Sequence, residues 1–265
     1  MGANKQIKMT KKFKKSGKFL AIFTCLISFA LCLTLADFFS NLITVNSFAN
    51  SGIASSKCSA YSVYAISMYD TSLKSSANEY SNDITKIGGA GYVWQMESKF
   101  YVLASAYLEE NDANLVKTNL ENDEFTPTII KIDIAEIEIG GNYQSVESTA
   151  IYNALNIYKV VYSALYDISV SLDTSVASET DARLQISDLV SEVSKTKVNF
   201  DALFDAKLTT NLLFLKLSVG SILELVEQLV SYQETTSQTF SSKIKNNYLN
   251  VLKLNQELSG NMSSI

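Results

Sequence analysis

Hydrophobic and polar positions alternate with a period of two in four runs between residues 61 and 139, and with a helical period between and after those runs. The pattern predicts a strand over 61–69 and then a helix over 71–87. Asp70 or Thr71 is the candidate N-cap of that helix, and Gly88-Gly89 the stop. Two further strands, 92–96 and 99–106, are joined by Glu97-Ser98, a loop of hairpin length. A helix over 109–121 and an isoleucine-rich strand over 128–139 complete the order βαββαβ. That order implies a small antiparallel sheet with two helices on one face. The halves echo one another, since Ser67-Met68-Tyr69 and Ser105-Ala106-Tyr107 each end a strand just before a helix.

After residue 143 the period is helical throughout. Four helices are predicted, over 145–172, 179–207, 210–233 and 237–258, with Ser178 as N-cap of the second. The first carries Ile151, Leu155, Tyr158, Tyr162 and Leu165 at alternating spacings of four and three, a heptad-like seam. The third is apolar nearly all round. Lys216, Glu224 and Glu227 argue against its crossing a membrane, because each charge would cost roughly 2.5–3.5 kcal/mol at the bilayer centre. An antiparallel bundle over 143–258 is expected, serving either as a spacer or lid on the sheet, or as a partner-binding or self-associating module.

The N-terminal pattern is different. Residues 19–36 hold no charge, a run of about 27 Å as a helix, close to the hydrocarbon thickness of a bilayer. Seven lysines and no acid precede it in residues 1–18. We expect a cytoplasmic basic tail (1–18), a transmembrane signal-anchor (19–45) and a short linker (46–58), with the later domains outside the cytoplasmic membrane. The alternative is a cleaved signal peptide ending at Ser47-Phe48-Ala49. The net charge of −5 conceals this asymmetry. Without the tail, fifteen basic residues stand against twenty-seven acidic ones, which disfavours nucleic acid as a partner.

Candidate chemistry is sparse. There is no histidine, and of three cysteines two (Cys25, Cys32) lie in the apolar run and one (Cys58) beyond it. No phosphate loop, nucleophile elbow or metal-ligand spacing is present. Glu136 and Glu138 could share one strand face, where solvated carboxylates are ordinary. No enzyme activity and no cofactor is expected.

The segment 59–139 resembles the SPOR domain, a peptidoglycan-binding module of bacterial division and sporulation proteins. The resemblance rests on YAISMY (64–69) with Ala77, GAGYVW (89–94), and YVLASAY (101–107) with Ala113. Ser67 and Ser105 stand where the family has glycines, Tyr69 and Tyr107 where it has phenylalanines, and Ala65 where glutamine is frequent. The resemblance implies a ferredoxin-like sheet and binding to glycan strands stripped of stem peptides. The expected fold class is α+β: an N-terminal transmembrane helix, a ferredoxin-like βαββαβ SPOR-like domain (59–139), then an all-α helical bundle (143–258).

Alternation assigns the faces of the sheet. Tyr64, Ile66, Val93, Phe100, Val102 and Ala104 should meet the two helices. The other face should carry Ala65, Ser67, Tyr92, Trp94, Tyr101, Leu103 and Ser105, with Lys131 from the last strand. On one reading the face binds glycan: Trp94 and Tyr101 form a platform for sugar rings, Tyr92 is a further candidate contact beside them, and Ser67, Ser105 and Lys131 supply hydrogen bonds. On the other, the C-terminal helices cover the face and Trp94 is a core residue. The first makes the chain a membrane-anchored, extracytoplasmic peptidoglycan-binding protein of division or sporulation, with partner proteins at the helical region. The second makes it a non-catalytic interaction protein whose SPOR-like domain has lost glycan binding.

Overall fold

The computed structural model describes residues 56–263. Its elements are β1 (Ser56–Cys58), β2 (Tyr61–Thr71), α1 (Lys74–Lys86), β3 (Tyr92–Met96), β4 (Lys99–Tyr107), α2 (Glu110–Asn122), β5 (Thr128–Ile134), β6 (Ile137–Ile139), α3 (Ser145–Asp173), α4 (Glu179–Phe204), α5 (Thr210–Val230) and α6 (Phe240–Ser263).

Four strands form an antiparallel sheet in the order β3-β4-β2-β5. The hairpin register sets Trp94 opposite Tyr101 and Met96 opposite Lys99, as its two-residue loop requires. Glu97 in that loop takes φ 53, a left-handed conformation costly for a residue with a Cβ. The edge strand β5 sends Ile130, Ile132 and Ile134 toward the bundle, while Lys131 and Asp133 form an ion pair at 2.9 Å. Charge on an edge strand blunts it against pairing with another chain.

The sheet lies between two helical layers. On one face α1 and α2 bury Ala77, Ile84 and Val102, and Ile66, Tyr107, Ala113, Val116 and Leu120. On the other, one continuous core joins Val63, Ala65, Trp94, Leu103, Ile132 and Ile134 to the four bundle helices. Helices α3 and α6 contact the sheet side, and α4 and α5 form the outermost layer. Ser178 caps α4 as its sequence indicates: its hydroxyl accepts from the Asp181 amide at 3.2 Å, and the Asp181 carboxylate accepts from the Ser178 amide at 3.0 Å.

The expected fold class is corrected. Among the described residues there are six helices and two small antiparallel sheets, and no helix is long and apolar enough to cross a membrane. The signal-anchor expected at 19–45 and the tail at 1–18 lie outside the described residues, as does most of the linker 46–58. The end of that linker is a strand: β1 pairs with β6, Cys58 opposite Ile137. The single strand expected over 128–139 is therefore two, which belong to different sheets. The first helix starts later than the candidate caps. Thr71 stays in β2, its hydroxyl accepting from the Leu73 amide at 3.1 Å, and Leu73 is the N-cap residue.

Candidate functional site

The sheet face assigned to glycan is closed. Trp94 is 1% exposed, and Ala65 and Leu103 are fully buried in the core shared with the bundle. The cover is α6. Its Ser242, Lys245 and Asn246 donate to three successive carbonyls of the α1–β3 turn: Ser242 to Gly89 at 2.6 Å, Lys245 to Gly88 at 2.7 Å and Asn246 to Ala90 at 3.1 Å. One turn on, the Tyr92 hydroxyl donates to Asn250 Oδ1 at 3.3 Å. The Lys253 ammonium then stands 5.0 Å from the Trp94 ring centroid, a cation–π distance. Farther along α6, on the side of its apolar seam, Asn255 donates to the Tyr61 hydroxyl at 2.8 Å.

The turn itself is fixed by sequence. Gly91 has φ 59, and a Cβ there would come 2.5 Å from the Ser81 carbonyl. The Ser81 hydroxyl donates to the Gly91 carbonyl. The three carbonyls held by α6 precede that anchored residue. Lys245 also pairs with Asp173 at the end of α3, at 2.5 Å with its side chain 7% exposed. Ser241 donates to the other Asp173 oxygen at 2.6 Å. A buried charge so paired is costly to break.

The six candidate residues do not converge. Ser67, Tyr92, Trp94 and Tyr101 lie on the bundle side. Ser67 is buried and donates to the Tyr69 carbonyl at 2.9 Å. Tyr92 and Tyr101 are half-buried against the shared core, and burial pushes the Tyr92 hydroxyl up to about 12. Ser105 and Lys131 are on the opposite face, a correction to their assignment. The pairing of β2 with β4 skips Ala104 between Ile66↔Ser105 and Ser67↔Leu103. That extra residue turns Ser105 toward Tyr107, whose hydroxyl accepts from it at 3.1 Å. Lys131 pairs in register with Tyr64, which packs with the α2 core, and it remains exposed. Trp94 is thus buried beneath α6, and Ser105 and Lys131 lie across the sheet from it.

Where β4 ends, a tyrosine cluster joins the two cores. Tyr107 meets Tyr166 edge-on at 5.9 Å between ring centroids, and Tyr248 meets Tyr162 at 5.3 Å. The Tyr162 hydroxyl donates to the Ala106 carbonyl at 2.9 Å. Burial pushes all four hydroxyls well up, Tyr107 to about 12. These rings stay neutral and structural. An open depression of about 590 Å³ beside the start of α2 is lined by Tyr61, Tyr64, Glu109, Glu110 and Lys159, among others. Its acids are solvated residues at a helix start, without a nucleophile or base partner. Among the described residues no group of three or more His, Cys, Asp or Glu is placed to hold a metal.

No family model matches this chain, and neither does any curated protein or solved structure.

The polar row Ser242, Lys245, Asn246, Asn250 and Lys253 is the part sequence reasoning missed. It runs along α6 beside the apolar seam Phe240, Ile244, Tyr248 and Val251, at spacings of three and four. On an isolated helix such a row is indistinguishable from a solvated face. Its small amides and hydroxyl are the side chains that reach backbone carbonyls.

Proposed function

We propose that this chain is a non-catalytic interaction protein, held at a membrane, whose sheet is a scaffold closed by its own bundle. The observation that carries this reading is Trp94, 1% exposed under α6 with Lys253 against its ring. A ring in that position is unavailable to stack on sugar, and the groups meant to assist it are divided between two faces. The basic stretch 1–18 and the uncharged run 19–36 support attachment to a membrane, with the acidic body on the far side from the cytoplasm. The outer surface of the bundle is then what remains to contact partners.

Retention on purified peptidoglycan sacculi tests this. The full chain should wash through in the same fraction as a Tyr101→Ala variant, which alters the half-exposed rim of the face without opening the core. Saturable retention of the wild type, abolished by Tyr101→Ala, would restore the glycan-binding reading.

A further inference from the structure

We propose that the end of the bundle at which the chain enters the described body is a membrane-docking surface, resting on the bilayer through Tyr143, Val146 and Leu208. This rests on the membrane attachment proposed above and adds the face that the body turns to the lipid.

The first observation is the point of entry. The body begins at Ser56, whose hydroxyl donates to the Ser148 carbonyl in the first turn of α3 at 2.8 Å. Helix direction sets what else lies there. Asp173 at the far end of α3 accepts from Ser241 in the first turn of α6, and Tyr162 meets Tyr248 midway, so α3 and α6 run antiparallel. Helix α4 returns toward the start of α3, because Glu147 pairs with Lys207 in the α4–α5 turn. The start of α3, the α4–α5 turn and the end of α6 therefore share one pole with Ser56. Ten residues, 46–55, separate Ser56 from the anchor expected at 19–45. They reach at most about 35 Å. From Ser148 to Asp173 the bundle extends a further 38 Å or so, at about 1.5 Å per residue. Only a fully stretched linker would let the opposite pole touch the same bilayer.

The second is apolar exposure at the entry pole. Val146 is 56% exposed and Leu208 36%. Tyr143 is held beside them: its ring meets Phe204 edge-on at 6.0 Å, and a Cβ at Gly141 would lie 2.6 Å from it. The stretches that carry these side chains, 140–146 and 206–211, contain one lysine and no acid. Tyrosine, with an apolar ring and a polar tip, suits the boundary between lipid and water.

The third is charge. The acids near this pole are answered by lysines: Glu147 by Lys207, Asp201 and Asp205 by Lys216, and Glu136 by Lys57 at 2.8 Å, with Glu138 close to the same lysine. At the opposite pole Val176 is 78% exposed, but Glu179, Asp181, Glu227 and Glu234 there stand against Arg183 and Lys243. Burying unpaired charge at a lipid surface is costly, so the paired pole is the one that can approach it. Three side chains give only a weak contact. A weak contact suffices here, because a short tether holds the pole at a roughly millimolar effective concentration over the lipid.

The test uses the full chain with Cys25→Ser and Cys32→Ser, reconstituted in phosphatidylcholine vesicles that carry a nitroxide on the acyl chain just below the headgroup. A fluorophore is attached through Ser145→Cys at the entry pole, or through Val176→Cys at the other. The label at 145 should be blue-shifted and quenched by the nitroxide, and the label at 176 should be neither. Val146→Glu together with Leu208→Glu should return the label at 145 to the level of the label at 176, with the melting temperature unchanged. A tether alone would not produce that loss, since it brings the pole near the lipid in both variants. A label at 145 no more quenched than the one at 176, or quenching indifferent to the two glutamates, overturns the inference and leaves membrane attachment standing. A full chain that does not float with the vesicles overturns both.

Discussion

Truncating Trp94 separates the two roles its sequence position allows. In the core role, Trp94→Ala removes the largest side chain among the fully buried ones and leaves a cavity between β3 and α6. Buried Phe or Trp to Ala changes cost about 3–5 kcal/mol, the transfer of the ring plus the void it leaves. A domain holds about 5–15 kcal/mol in all, so the variant would lose a large fraction of its stability. With a urea slope of about 2.5–3 kcal/mol/M for a body of this size, the midpoint should fall by about 1–2 M. Lys253→Met is the control. It keeps the apolar stem that packs on the ring and removes the cation, so it should cost only about 0.5–1 kcal/mol. Far-ultraviolet circular dichroism in urea measures both. Because the chain has one tryptophan, the wild-type emission is a second reading: it should be blue-shifted and poorly quenched by iodide. A loss below about 1 kcal/mol for Trp94→Ala, or a readily quenched ring, would refute the burial argument and return Trp94 to the surface.

Three other perturbations follow from the same structure. Lys245→Ala strips Asp173 of its cation and the Gly88 carbonyl of its donor, and should cost about 3–5 kcal/mol in the same urea experiment. Glu97→Gly relieves a left-handed φ in an exposed hairpin loop and should stabilise the protein by about 0.5–1 kcal/mol, read as a raised melting temperature. Asp167 has its carboxyl pushed up to about 6 by burial, so the folded state binds more protons than the unfolded one between about pH 4 and 6. Stability should therefore fall as pH rises through that window. Asp167→Asn should flatten the fall, being more stable than the wild type at pH 7 and little different below pH 4, as thermal melts at stepped pH would measure.

Much of the fold was legible because local and long-range signals agreed. The hairpin register follows from a two-residue loop, and the faces of Val93, Trp94, Phe100 and Val102 follow from simple alternation. Tyr64 packs with the α2 core and Ala65 with the bundle core for the same reason. Ser105 was not legible in this way. Its parity depends on Ala104, an extra residue that alternation alone does not reveal, and one inserted residue moves every later side chain to the other face. The assignment of Lys131 failed for a different reason. The run Ile129-Ile130-Lys131-Ile132 has apolar residues on both faces, so only its pairing with Tyr64 settles which way the lysine points.

The cover on the sheet was the least legible feature, and the reason is physical. An apolar helix face announces a buried neighbour, whereas the row Ser242, Lys245, Asn246 and Asn250 satisfies backbone carbonyls and a tyrosine hydroxyl that the sequence shows only as a glycine-rich turn and a strand. Each bond contributes about 0.5–1.5 kcal/mol net, and more where the lysine is the donor. Their larger effect is on specificity. The apolar seam of α6 would pack against α3 in several rotations, but three donors aimed at three successive carbonyls fix one of them. That rotation sets Lys253 over Trp94 and closes the sheet.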